Sequence, residues 1–126
     1  GSDQCAYLDG NILGKPGNHQ NAVKQLQNAR NQEVIFYTGL SVMQASTQFC
    51  EVDCIEFRVG FRDISDQQIE HYLSVEQPYN CAGSFKSEGY GVCLFSYLQG
   101  DDPSALMGLP LIRLINMLEQ AGLKVV

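Results

Sequence analysis

Apolar and polar residues alternate along much of the chain with the two-residue period of β-strands. One such stretch, residues 34–42, carries apolar side chains on both faces and predicts a central strand. Residues 51–61 alternate again after a polar turn near Ser46, so the two stretches predict a long antiparallel hairpin. Shorter strands are predicted at three places, the first two joined by an Asp-Gly turn: residues 4–8, 11–13 and 92–98.

Three other stretches, residues 18–30, 65–75 and 110–122, have the sequence features of helices. Asn18 is a favourable N-cap for the first, and Ser65 with Gln68 forms a capping-box sequence at the start of the second. Pro110 and Gly122 are typical of the beginning and the end of the third. The apolar stripe of this third helix consists of Leu111, Leu114, Ile115 and Leu118.

Helices and strands are interleaved along the chain, which predicts an α/β or α+β fold with a mixed, largely antiparallel sheet flanked by helices. The 126 residues, 44% of them hydrophobic, suit one ordinary globular domain with a single core. No internal repeat, low-complexity segment or linker divides the chain. We therefore expect residues 1–126 to form one unit.

The charge balance limits the classes of partner. Eight Lys and Arg against 14 Asp and Glu cannot easily form a basic stripe, so a nucleic acid polymer is not an expected partner. A small anion needs only one or two lysines in a local pocket. No apolar run approaches the roughly 18 residues of a membrane helix, and residues 1–4 have no signal-segment features. The sequence thus predicts a cytoplasmic protein without a membrane partner.

The five Cys are expected to be reduced thiols, because their number is odd and the chain is too long to need disulfides. Cys50 and Cys54 have a spacing that suggests a metal site, but no second Cys pair or His pair follows to complete four zinc ligands. We favour small, half-buried side chains on a strand for these two residues.

Four segments of the chain share their order and spacing with one known family: Gly1-Ser2-Asp3-Gln4, Gly14-Lys15-Pro16, residues 81–89 and Gly108-Leu109-Pro110-Leu111. Together they resemble the Maf family of nucleoside triphosphate pyrophosphatases, and the resemblance covers essentially the whole chain. It implies a Maf- and ITPase-like fold and a hydrolase acting on phosphoric anhydrides with a divalent metal, Mg²⁺ or Mn²⁺. Within the family, the stretch around Glu88 resembles the 7-methyl-GTP branch.

The resemblance also implies roles for individual residues. Asp3 matches the family's general base or metal carboxylate, and Lys15 matches its phosphate-contacting lysine. Gln4 and Glu88 match the positions that select the base, and a carboxylate at 88 can accept hydrogen bonds from the N1 and N2 groups of guanine. Without the resemblance, all four residues would be interpreted as ordinary exposed polar side chains.

Members of the family begin with a further stretch that contains a phosphate-binding Ser-x-x-Arg loop, which this sequence does not contain. We therefore expect a partial domain, the C-terminal two-thirds of a Maf-like domain, with little activity of its own and a tendency to form homo-oligomers. Two alternatives stay open: a pyrimidine nucleotide pyrophosphatase acting on dTTP or UTP, and a catalytically inactive binding or dimerisation module. Glu88 argues against the first, because pyrimidine-preferring members tend to have Gln there.

The remaining candidates receive structural interpretations. Phe85 and Tyr90 flank the Glu88 segment and could stack on a base, but core packing is favoured for both. His19 and His71 have no partner spacing and no catalytic role is assigned to them. The Asp-Asp-Pro sequence at 101–103 is interpreted as an acidic turn.

Overall fold

Five strands form one sheet in the computed structural model, which describes residues 1–126. Each neighbouring pair is antiparallel, and the spatial order is β2-β1-β3-β4-β5. The predicted Asp-Gly turn joins β1 to β2, and β3 and β4 form the predicted long hairpin. The strands are β1 (Ser2–Leu8), β2 (Asn11–Leu13), β3 (Glu33–Gln44), β4 (Phe49–Phe61) and β5 (Phe95–Gln99).

Three helices accompany the sheet: α1 (His19–Ala29), α2 (Asp66–Glu76) and α3 (Leu111–Gln120). The predicted caps are confirmed, since the Asn18 side chain accepts a hydrogen bond from the Asn21 amide and the Ser65–Gln68 capping box has both of its bonds. Short 3₁₀ turns occupy parts of the connections, at residues 82–84, 90–94 and 103–107.

The main core lies on one face of the sheet. Ala6, Phe36 and Phe57 are neighbours across β1, β3 and β4, and all three are buried. They pack with buried residues of α1 and α2, such as Leu26 and Leu73, in a single apolar cluster. Because side chains alternate between faces, the three central strands β1, β3 and β4 contribute alternate residues to this core.

The predicted strand at 92–98 is wrong over its first three residues, because β5 begins only at Phe95. Residues 90–94 form a 3₁₀ turn instead. The Gly91 amide donates to the Lys86 carbonyl at 3.1 Å, and a Cβ at Gly91 would lie 2.2 Å from that oxygen. This close backbone contact requires glycine and keeps the segment out of the sheet.

The apolar stripe of α3 does not enter the main core. Met117 is the buried residue of this helix, whereas Leu111 and Ile112 are 46% and 55% exposed. Polar contacts orient the helix, because the Arg113 side chain donates to Asp53 of β4 at 2.6 Å. Periodicity indicated the helix but not the surface against which it packs.

Cys50 and Cys54 are exposed on β4 rather than half-buried, and all five Cys are free thiols. None of the helices is both long and apolar enough to cross a membrane.

Candidate active site

A cavity of about 370 Å³ opens where the start of β1 meets the chain segments around residues 15, 81–88 and 106–108. This volume suits a small-molecule ligand. The four residues that the sequence analysis selected, Asp3, Gln4, Lys15 and Glu88, all line this cavity although they are up to 85 positions apart in the sequence. The structure therefore brings the predicted residues together.

Gln4 is the most firmly held of the four. Its side-chain Nε2 donates to Thr38 Oγ1 at 3.0 Å and to the Ala105 carbonyl at 2.8 Å, with a longer contact of 3.3 Å to the Leu106 carbonyl. Thr38 lies opposite Gln4 on β3 and is fully buried. The side chain thus connects β1 to the turn at residues 103–107.

Asp3 lies next to Gln4 at the exposed beginning of β1. Its Oδ1 accepts a hydrogen bond of 2.9 Å from the Gln4 amide, which fixes one carboxylate oxygen against the backbone. The other oxygen, Oδ2, has no hydrogen-bond partner within the protein. A carboxylate held in this way can accept a proton from water or bind a hard cation.

Two lysines, Lys15 and Lys86, supply positive charge to the cavity. Neither forms an ion pair, whereas Arg30, Arg58 and Arg113 are each paired with carboxylates. Both ammonium groups are therefore available to an anion. Lys86 was missed by the sequence analysis, although it belongs to the segment that carried the family resemblance; its position two residues before Glu88 was the available signal.

The segment that carries Glu88 is anchored by two side chains of α2. The Tyr72 hydroxyl accepts from the Lys86 amide at 3.0 Å, and Glu76 accepts from the Tyr90 amide at 3.1 Å. Burial raises the pKa of Tyr72, so its hydroxyl stays neutral and keeps its acceptor role. Glu88 itself is exposed, and its position is set by contacts on both sides of it.

Phe85 and Tyr90 have different roles from each other. Phe85 is buried, packs edge-on against Phe36 and Phe61, and also lines the cavity. Tyr90 stacks on Tyr72, is 41% exposed and does not line the cavity. The favoured interpretation of core packing is confirmed for Phe85, but Tyr90 is not a core residue.

Cys81 is the one thiol that lines the cavity. Burial raises the pKa of this thiol, so at neutral pH it is protonated and is a poor nucleophile. The polar chemistry of the cavity therefore rests on its carboxylates, lysines and amide.

The interpretation of residues 101–103 as a plain acidic turn needs correction, because Asp102 is buried. Its Oδ1 accepts from the Ser104 amide at 3.0 Å, and its Oδ2 accepts from the Ile112 amide at 2.9 Å, at the first turn of α3. The carboxylate thereby connects both ends of the loop at 103–110. That loop forms a wall of the cavity, and its Gly108 carbonyl accepts from the Ser2 hydroxyl at 2.8 Å.

Comparison with known families identifies the family of this chain. The family model described as Maf-like protein matches residues 1–121, nearly the whole chain and all of the residues that line the cavity. The chain belongs to the Maf-like family. The motifs from which the resemblance was inferred are thus confirmed as those of a family member, and the antiparallel α/β architecture is consistent with this family.

Curated relatives of this Maf-like chain carry a common name. The chain is 55% identical over 126 residues to a protein of Methylobacillus flagellatus named 7-methyl-GTP pyrophosphatase, and the match covers 100% of this chain and 66% of the relative. Relatives with the same name are 54% identical in Idiomarina loihiensis, over 98% of this chain and 62% of the relative, and 53% identical in Albidiferax ferrireducens, over 99% and 63%. The chain spans slightly less than two thirds of the length of these relatives.

Proposed function

We propose that this Maf-like chain supplies catalytic and base-selecting groups of a nucleoside triphosphate pyrophosphatase that hydrolyses 7-methyl-GTP to 7-methyl-GMP and diphosphate. The observation that supports the proposal is the meeting of Asp3, Gln4, Lys15 and Glu88 in one cavity, in a chain whose curated relatives carry that enzyme name. Removing a modified nucleotide in this way would serve the sanitation of the nucleotide pool in the cytoplasm.

The polar groups at the base-selecting positions favour guanine. Glu88 presents carboxylate oxygens, and Gln4 has its Nε2 engaged by the protein, so both residues offer acceptors to a ligand. Guanine has two kinds of donor on one edge, the N1 and N2 groups, whereas uracil and thymine have only N3. Methylation at N7 makes the guanine base cationic, which strengthens its hydrogen bonds to a carboxylate.

The proposed reaction cleaves the bond between the α-phosphorus and the oxygen that bridges it to the β-phosphate. The free Oδ2 of Asp3 accepts a proton from a water molecule whose oxygen attacks the α-phosphorus. The bridging oxygen leaves with diphosphate, and the products are a nucleoside monophosphate and diphosphate. Lys15 and Lys86 offset negative charge on the phosphates as it develops on the leaving group.

The carboxylate of Asp3 has the hard oxygen donors that Mg²⁺ or Mn²⁺ prefers, so Asp3 is the residue to which we assign a divalent metal. No group of three or more His, Cys, Asp or Glu side chains forms a metal site of its own. This fits an ion held by one or two carboxylates together with substrate phosphates, as is usual for Mg²⁺. Such an ion would neutralise phosphate oxygens in the transition state.

The test separates chemistry from folding. Asp3→Asn keeps the size of the side chain but removes its charge. The substitution is made in a chimera in which this chain is joined to the part of the Methylobacillus flagellatus relative that it does not match. We expect diphosphate release from 7-methyl-GTP to fall by at least about 100-fold while the melting temperature changes little. Asp101→Asn, an exposed aspartate outside the cavity, is the matched control. Turnover in Asp3→Asn close to that of the parent chimera would contradict the assignment.

The same assay addresses the two alternatives. A pyrimidine pyrophosphatase would release diphosphate from UTP or dTTP faster than from 7-methyl-GTP, and an inactive binding or dimerisation module would turn over none of them. The chain alone is assayed beside the chimera, and we expect it to bind the nucleotide with little turnover. Its cavity offers two lysines and no arginine to balance the charge of a triphosphate.

A further inference from the structure

The orientation of the Gln4 amide is determined by the atoms that surround its Nε2. The carbonyl oxygens of Ala105 and Leu106 lie 2.8 and 3.3 Å from that atom. A backbone carbonyl can only accept a hydrogen bond. An amide rotated by 180° would place Oε1 against these two oxygens, so the atom that faces the turn must be nitrogen.

The Thr38 hydroxyl completes the arrangement. It donates its only proton to the Ala105 carbonyl at 3.1 Å and is therefore an acceptor toward Gln4 Nε2 at 3.0 Å. Thr38 is fully buried, so water cannot take over either bond. The hydroxyl is thus held between the turn at 103–107 and the side-chain amide of Gln4. It can only donate to the turn and accept from Gln4.

We propose that Thr38 is a positioning residue for base selection: its buried hydroxyl, together with the Ala105 carbonyl, holds Gln4 so that Oε1 rather than Nε2 is presented to the nucleotide. This inference rests on the proposed function. Oε1 has no donor within the protein and is the polar atom of this side chain that remains available to a ligand. Gln4 thereby acts as an acceptor beside the acceptors of Glu88, and the pair matches the adjacent N1 and N2 donors of guanine.

Thr38→Val removes the hydroxyl and keeps the branched shape of the side chain. Without the hydroxyl, Gln4 Nε2 loses one of its two short hydrogen bonds, and the side chain can move away from the orientation that presents Oε1. We expect the preference for 7-methyl-GTP over UTP, taken as the ratio of their dissociation constants, to fall by about 3- to 10-fold, the effect of one net hydrogen bond. Thr38→Ser keeps the hydroxyl and should restore most of the ratio.

A double-mutant cycle distinguishes positioning from a general structural role. In a Gln4→Met background there is no amide to orient, so adding Thr38→Val should leave the ratio unchanged. A role in folding alone would lower the melting temperature in both backgrounds and would not change the ratio in either. Both nucleotides are titrated calorimetrically against the unmodified chain and the four variants.

A second readout needs no nucleotide. The side-chain NH₂ resonances of Gln4, assigned by their absence in Gln4→Met, should exchange slowly with solvent in the unmodified chain and at least several-fold faster in Thr38→Val. Suppose that the unmodified chain prefers 7-methyl-GTP and that Thr38→Val leaves either the exchange rate of the Gln4 NH₂ protons or the ratio of dissociation constants unchanged. That result would overturn the role of Thr38 and leave the proposed function standing. A chain that shows no preference between the two nucleotides would instead overturn the proposed function.

Discussion

At the scale of single residues, the proposed function divides the polar side chains of the cavity into two sets. In that proposal, Asp3, Lys15 and Lys86 supply the charges for phosphate chemistry, whereas Gln4 and Glu88 supply the acceptors for a guanine edge; all five residues line the cavity. The two sets meet at adjacent positions of β1, because Asp3 and Gln4 are consecutive. The backbone amide of Gln4 also donates a hydrogen bond to Asp3 Oδ1. A change in the backbone at this point is therefore expected to affect catalysis and selectivity together.

The residue-scale prediction concerns the charge of Glu88. Glu88→Gln keeps the length of the side chain but replaces one acceptor oxygen by a donor and removes the charge that pairs with a cationic base. We expect kcat/KM for 7-methyl-GTP relative to UTP to fall about 10- to 100-fold in the chimera described above, as for the loss of a charged hydrogen bond. Glu119→Gln, an exposed change on α3, is the control. An unchanged ratio would show that Glu88 does not select the base.

At the scale of elements, the loop between β5 and α3 depends on one buried carboxylate. Asp102 accepts hydrogen bonds from the Ser104 and Ile112 amides, so it caps the 103–107 turn and α3 at once. The Ser104 hydroxyl also donates to Asp102 and accepts from the Leu111 amide. Because this turn supplies the carbonyl groups that hold Gln4, Asp102 supports the cavity without lining it.

We expect Asp102→Ala to lower the free energy of unfolding by about 2 to 3 kcal/mol, because it removes two caps and leaves two partly buried hydrogen bonds unmade. The neighbouring Asp101→Ala changes an exposed residue and should stay within about 0.5 kcal/mol of the unmodified chain. Urea unfolding followed by circular dichroism gives both values. Equal stabilities of the two variants would mean that solvent replaces the Asp102 contacts.

At the scale of the whole molecule, large apolar side chains remain on the surface. Several of them lie on α3 and at the far end of the β3–β4 hairpin, where Leu111, Ile112 and Met43 are 46%, 55% and 75% exposed. Both β2 and β5 are edge strands with one unpaired side. Surfaces of this kind are typical of association, so we expect the chain to form homo-oligomers.

Light scattering after size exclusion tests this expectation. Ile112→Lys places a charge on the exposed side of α3 and should shift the population toward monomer. Gln120→Lys adds the same charge to an exposed polar position of the same helix and should have a smaller effect. A monomeric unmodified chain at micromolar concentration would contradict the prediction.

The sequence alone determined the features that depend on local chemistry. Strand alternation gave the β3–β4 hairpin, and the side chains of Asn18 and Ser65 predicted helix starts that the structure confirms, because caps satisfy amides only a few residues away. The motifs likewise point to Asp3, Gln4, Lys15 and Glu88 through the family resemblance, independently of where the fold places them.

Only the tertiary structure decided the packing of α3, the 3₁₀ turn at 90–94, the buried role of Asp102 and the hold of Thr38 on Gln4. The packing of α3 and the hold of Thr38 depend on partners far away in the sequence, Asp53 for Arg113 and Ala105 for Thr38. The turn at 90–94 and the contacts of Asp102 involve nearer residues, but they are contacts with backbone groups of irregular segments that have no periodic pattern. Periodicity describes which residues share a face, but it carries no information about which distant backbone group that face will meet.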